Sequence, residues 1–132
     1  MKILLGIGCD RNTSLRTLEM AIEQAIYKLG LTAESITAMA TIDKKNDEVA
    51  LLALSEQRQW PLHFFTAEQL SQVEVPNPSS VVLKYMGTPA VAEAAAMLAA
   101  NCDISELILE KHKYRGEDDK NATISIVRLN NE

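Results

Sequence analysis

The chain of 132 residues is long enough for one domain and too short for two with separate cores. At 47% hydrophobic and 23% charged residues it has a globular balance, which excludes disordered, collagen-like and disulfide-scaffold chains. A net charge of −5, with only one Trp, three Tyr and two Phe, argues against a phosphate-backbone binder or a base-stacking platform, so no nucleic-acid partner is expected.

Lys2 to Ile7 is a short apolar run closing on Gly6-Ile7-Gly8, which predicts a strand buried on both faces. Thr13 or Ser14 caps a helix whose apolar stripe is Leu15, Leu18, Ile22, Ala25, Ile26 and Leu29, with Gly30 as its stop. Ile36 to Ile42 reads as a second strand. Asn46 or Asp47 caps the next helix, with Val49, Leu52 and Ala53 as its core face and Leu51 and Leu54 widening it. Trp60-Pro61 breaks that pattern, and Leu62 to Phe65 is a third short strand. Thr66 and Gln69 have capping-box spacing, so a short helix follows and ends before Pro76-Asn77-Pro78-Ser79. Ser79 caps another short helix reaching Tyr85. Thr88 and Pro89 suit the cap and first position of an alanine-rich helix over Ala90 to Ala100. Leu107 to Lys111 and Ala122 to Leu129 are the final strands, and the polar loop Arg115 to Asn121 between them has Glu117-Asp118-Asp119 as a flexible tip.

Strands alternating with helices predict an α/β fold in a single domain over residues 1–132. The expected architecture is three-layer α/β/α around a mixed, mostly parallel sheet of about five strands. The last two strands lack a helix between them, so one runs antiparallel to its neighbour.

Cys9 and Cys102 have no second Cys or His at ligand spacing, and no metal site is expected. Met1 to Gly6 is too short an apolar run for a signal peptide. No segment approaches the roughly 20 apolar residues of a membrane helix. The chain reads as cytoplasmic, with reduced thiols and no membrane partner.

Four places can carry chemistry. The loop Gly6-Ile7-Gly8-Cys9-Asp10-Arg11-Asn12-Thr13-Ser14 lies outside the carboxyl end of a strand, where open α/β sheets bind ligands. Its backbone N–H groups and Arg11 suit an anion; equally, the glycines only make a turn and Thr13 or Ser14 only caps. Arg11 stands where a dinucleotide fingerprint needs Gly, no Gly-Lys-Ser/Thr ending is present, and no cofactor is implied. Cys9 near a helix start is either a lowered thiol or a structural one, and no base is in sequence reach. Asp43 follows the second strand on the same edge and suits a ligand hydroxyl or loop ordering. Gly87, Thr88 and Ala90 open a second helix, and Glu93, one turn in, either binds or only complements the helix dipole. Lys111-His112-Lys113-Tyr114-Arg115 is the one basic cluster, suited to clamping carboxylates or to solvating a sheet end. No catalytic triad, carboxylate pair or metal-ligand set assembles, so the residues alone describe an anion-binding domain.

The ordered set of motifs resembles the CobE family, which is also the C-terminal domain of CbiG proteins. The resemblance rests on Gly6-Ile7-Gly8-Cys9-x-Arg11-x-Thr13-Ser14, Ile42-Asp43-Lys44-Lys45 and Phe65-Thr66-Ala67-Glu68-Gln69-Leu70. It continues through Pro76-Asn77-Pro78-Ser79, Gly87-Thr88-Pro89-Ala90-Val91-Ala92-Glu93-Ala94-Ala95, Leu109-x-Lys111 and Ala122-Thr123-Ile124-Ser125-Ile126. Asp10 departs from a basic residue common in the family, and Asn12 from a frequent Gly.

The resemblance implies a role in building the corrin ring of cobalamin. CbiG proteins are associated with opening a lactone of cobalt-precorrin-5A and releasing acetaldehyde; CobE is the free-standing relative, and this chain has its length. The implied partner is a precorrin or corrinoid, a polycarboxylated tetrapyrrole. Its acetate and propionate arms would meet Arg11, Lys111 and two helix N-termini in one cleft. Three functions follow: a precorrin-binding accessory protein, a hydrolase of the CbiG type, or a module docking on another corrin-pathway enzyme.

Overall fold

The computed structural model describes residues 1–74 and 91–129. The predicted helix from Ser79 to Tyr85 and the predicted start at Gly87-Thr88-Pro89-Ala90 lie outside the described residues. Among the described residues the strands and α-helices follow in this order: β1 (Ile3–Cys9), α1 (Leu15–Lys28), β2 (Ile36–Ile42), α2 (Val49–Arg58), β3 (Leu62–Phe65), α3 (Ala67–Ser71), α4 (Val91–Ala100), β4 (Leu107–Arg115) and β5 (Asn121–Arg128). The strands form one five-stranded sheet in the order β3-β2-β1-β5-β4. Pairing is parallel from β3 to β2 to β1 and antiparallel from β1 to β5 to β4. Four strands therefore point one way and β5 alone runs against them, which is the mixed, mostly parallel sheet expected.

Strand alternation assigns the two faces. Ile3, Leu5 and Ile7 of β1, with Ile124 and Ile126 of β5, pack under Leu18, Ala21, Ile22 and Ala25 of α1 and Leu51 and Leu54 of α2. Leu4 of β1, Ala38, Ala40 and Ile42 of β2 and Val127 of β5 pack under Ala94, Ala95 and Met97 of α4 and Leu70 of α3. The alanines let α4 lie against the sheet. A Cβ on Gly6 would fall 1.8 Å from the Ala92 carbonyl oxygen, so only glycine permits this approach.

The helix ends follow local chemistry. Ser14 caps α1, its Oγ accepting from the Thr17 N–H at 3.2 Å. α1 closes with the Gly30 N–H on the Tyr27 carbonyl and the Leu31 N–H on the Ile26 carbonyl; Gly30, at φ 68°, takes the left-handed position. Thr66 and Gln69 complete the expected capping box.

Three expectations are corrected. α2 starts from Glu48, without a side-chain cap, and buries Leu51 and Leu54 while Val49 is 79% exposed. Its run Val-Ala-Leu-Leu-Ala-Leu is apolar all round, so periodicity did not select the buried face. β4 continues past Lys111 to Arg115 because each further residue to Arg115 pairs with β5. Asp118 is tied down: it accepts from the Ser14 N–H at 2.9 Å and the Thr17 hydroxyl at 2.8 Å. The turn predicted as a flexible tip therefore braces the start of α1.

Candidate functional site

The carboxyl ends of β1, β2, β3 and β4 share one edge of the sheet, and the first turn of α4 lies over its other face. The edge divides into two environments.

On the α1 side, the β1–α1 loop is tied to the segment after β2. Arg11 Nη1 lies 2.7 Å from Glu48 Oε2, and its Nη2 lies 2.8 Å from Asp47 Oδ2. Glu48 is buried; its other oxygen accepts the Asn12 N–H at 3.0 Å, and Lys45 Nζ lies 3.9 Å from Oε2. Asn12 takes φ 64°, the left-handed region in which Asn is the commoner non-glycine residue, and this aims its N–H at Glu48. Asp10 accepts from the Asn121 backbone N–H at 2.8 Å and side-chain amide at 3.0 Å. The Thr13 hydroxyl donates to the Asp10 carbonyl at 2.6 Å. Asp43 opens a 3-10 turn, Asp43–Lys45, whose first carbonyl accepts the Asn46 N–H at 3.0 Å.

Both cationic features expected of this loop are thus engaged by the chain's own acids. Arg11 sits between Asp47 and Glu48, and Asp118 occupies the start of α1. Hydrogen bonds from the Ser14 backbone first, then from Lys120 and Thr17, hold the Asp118 carboxyl down to about 2. Burial pushes the Cys9 thiol up to about 11, with Lys45 only partly opposing, so it is a neutral thiol at neutral pH.

On the α4 side the edge is built from β1, β5 and β4. Gly8 pairs with Thr123, and Thr123 pairs with Lys113, giving a row of small, small and cationic residues across β1, β5 and β4. Among the described residues a Cβ added at Gly8 would rest in ordinary van der Waals contact with Thr123 at 3.9 Å and Val91 at 4.0 Å, so this row is a shelf of small side chains beside the first turn of α4. Lys111 lies two residues before Lys113 on the same side of β4, while His112 points the other way to Gln24 of α1 at 2.8 Å. Lys111 Nζ is 3.5 Å from Oε1 of Glu93.

Glu93 is fully buried, and neither carboxylate oxygen has a hydrogen-bond partner among the described residues. Burial raises its pKa, and the nearby Lys111 opposes that rise. Among the described residues Lys111 holds this buried carboxylate at ion-pair range, and Lys113 also favours its charged form.

The structure therefore brings Glu93 and Lys111 together on the α4 side of the sheet, the side that also carries Gly8. It puts Cys9, Asp10, Arg11, Asn12, Thr13, Ser14 and Asp43 in the opposite loop cluster. Gly87, Thr88 and Ala90 lie outside the described residues. Sequence reasoning missed Asp47, Glu48 and Asp118, which hold the loop, and Thr123, which completes the shelf. The adjacent acids Asp47-Glu48 ahead of a helix were the available signal. Among the described residues no cluster of His, Cys, Asp and Glu could hold a metal, and no helix is long and apolar enough to cross a membrane.

Comparison with known proteins adds the family context. The family described as Cobalamin synthesis G C-terminus matches residues 3–127. A cobalt-precorrin-5A hydrolase of Priestia megaterium is 33% identical over 127 residues, 96% of this chain and 32% of that protein. The chain thus spans about a third of that relative's length. Protein CobE of Sinorhizobium sp is 31% identical over 111 residues, 83% of this chain and 71% of that one. The crystal structure of CobE, a protein from the cobalamin (vitamin B12) biosynthetic pathway, superposes with a TM-score of 0.82 at 32% identity, covering 99% of this chain and 92% of that one. The cobalamin biosynthesis protein chiG of Agrobacterium tumefaciens shares the fold, with a TM-score of 0.67 at 22% identity over 98% and 99% of the two chains.

Proposed function

The chain belongs to the Cobalamin synthesis G C-terminus family, and on that premise we propose that it binds a polycarboxylated corrin-ring precursor at the carboxyl edge of its sheet. It is a cobalamin-biosynthesis protein of the CobE and CbiG C-terminal type. The observation that carries the binding reading is the shelf on the α4 side. Gly8 and Thr123 contribute little side-chain bulk to this row, and Lys113 lies at its β4 end with Lys111 two residues before it, the kind of cations that carboxylate arms need. The Arg11–Glu48 cluster keeps the neighbouring loop in place beside that shelf. Net charge does not oppose this, because local potential in a cleft governs a compact ligand.

The direct test is absorbance titration with cobyrinic acid, a stable corrin with free carboxylates, checked by co-elution on size exclusion. The reading expects a saturable spectral change and co-elution; neither appearing overturns it.

A second reading is favoured by the Priestia megaterium relative, whose name is that of a hydrolase acting on cobalt-precorrin-5A. The chain would then contribute to lactone opening in the precorrin, with Glu93 a buried acid on the α4 side. Acetaldehyde release by the chain from that substrate supports it. Binding of the substrate without turnover rejects it.

A further inference from the structure

The Arg11 guanidinium is clamped on one side and under-used on the other. Nη1 lies 2.7 Å from Glu48 Oε2 and 3.5 Å from the Lys44 carbonyl, while Nη2 lies 2.8 Å from Asp47 Oδ2. Nε, the remaining corner of the fork, has no hydrogen-bond partner among the described residues, and half of the side chain is exposed. A carboxylate can take Nε and its neighbouring Nη2 together by two parallel hydrogen bonds. Asp47 takes Nη2 alone, so that edge holds by one bond what it can hold by two. The two acids also differ. Glu48 is buried, accepts the Asn12 N–H at 3.0 Å and faces Lys45 Nζ at 3.9 Å, so moving it would strand a backbone donor and a buried ammonium. Asp47 is 62% exposed, and an exposed ion pair exchanges at little cost.

We propose that the Nε–Nη2 edge of Arg11 is a seat for one carboxylate of the ligand, with Glu48 as the fixed clamp that aims it and Asp47 as its exchangeable occupant. The ligand carboxylate binds both nitrogens, and Asp47 moves into solvent. This deepens the corrin-binding reading and rests on it. One ion pair replaces another, with no covalent bond made or broken and no proton moved.

The place agrees with the reading. Arg11 follows Gly8 by three residues, a span of at most about 10 Å, so one ring at the carboxyl edge can reach both with its arms. Asn12, at φ 64°, turns its N–H onto Glu48 and so fixes the loop that carries Arg11. A tie between the two loops needs only the Arg11–Glu48 contact; the second acid, on the exposed side, adds little to it. Because the ligand carboxylate replaces the charge of Asp47 instead of adding to it, the acids around the seat do not oppose binding.

The test is nuclear magnetic resonance of the whole chain with nitrogen-15 at its arginine Nε atoms, titrated with cobyrinic acid in its diamagnetic cobalt(III) form at low salt. The signal missing from Arg11→Lys identifies the Arg11 Nε–H. On binding, this signal is expected to shift downfield and to exchange more slowly with water. Absorbance titration of the variants gives the second readout. Asp47→Ala should bind about two- to fivefold more tightly than wild type, because the internal occupant is gone. Arg11→Lys keeps the charge but loses the fork, and should bind about tenfold or more weakly. An Arg11 signal unmoved at saturation overturns the seat, as does unchanged affinity in Arg11→Lys. Unchanged or weaker binding by Asp47→Ala overturns the exchange. Should Arg11→Lys not fold, the Asp47→Ala titration, which leaves Arg11 in place, still decides. Wild type that binds while these expectations fail overturns this proposal alone. Wild type that does not bind at all overturns the corrin reading and the seat with it.

Discussion

Arg11 Nη1 lies 2.7 Å from Oε2 of Glu48, joining the loop after β1 to the segment after β2 across 37 residues of sequence. Glu48 is the buried member and also receives the Asn12 N–H, so it anchors the arrangement. Glu48→Ala should lower stability by about 1–3 kcal/mol, because it strands a backbone donor and leaves Lys45 without its buried partner. Glu48→Gln keeps an acceptor and should lose less. Asp47→Ala, at an exposed carboxylate, should change least. Urea unfolding of the three variants checks the order.

Gly6 and Gly8 stand on the same side of β1 and should respond oppositely to the same methyl group. At Gly6 it meets the Ala92 carbonyl oxygen at 1.8 Å, a backbone atom that cannot yield without moving α4. Gly6→Ala should cost about 3 kcal/mol or more, or abolish soluble expression. Gly8→Ala should fall within about 1 kcal/mol of wild type, because its nearest neighbour is at 3.9 Å. Thermal melts of the two variants decide it.

Asp118 couples the β4–β5 turn to the start of α1. Its carboxyl is held at about 2 in the folded chain, below the ordinary 3.8. The resulting stabilisation is present above pH 3.8 and is lost as pH falls through about 2. Asp118→Asn should therefore melt several degrees lower than wild type at pH 7, with the gap closing toward pH 2. Circular dichroism melts across that range measure it.

Glu93 has the opposite sign. Its folded pKa is raised by burial, so its favourable contribution is present below the ordinary 4.5 and is lost as pH rises through the raised value. Relative to wild type, Glu93→Gln should gain stability between pH 4.5 and pH 8. Urea midpoints at the two pH values test this.

The sequence showed most where the chemistry is local. β2 at Ile36–Ile42, β3 at Leu62–Phe65 and the Thr66–Gln69 capping box were readable because each depends on neighbouring residues. The face of α2 was not, because an all-apolar turn offers several equivalent stripes and the Arg11–Glu48 contact lies far away in sequence. β4 was read short because Lys-His-Lys-Tyr-Arg looks like a polar end. Its alternation, with His112 toward α1 and Lys111 toward Glu93, appears only once β5 is placed beside it. Glu93 and Lys111 are each legible as candidates in the sequence, but their contact depends on the sheet order. Asp118 looked like a solvated turn residue until its partners, 104 and 101 residues away, were in view.

The most direct measurement of the central claim compares cobyrinic acid with its heptamethyl ester on the wild-type chain. Both carry the same corrin ring, and only the acid offers carboxylates to Lys111 and Lys113. The account predicts that the acid binds with a saturable spectral change and that the ester binds about tenfold or more weakly. Equal binding of the two, or binding of neither, would contradict it.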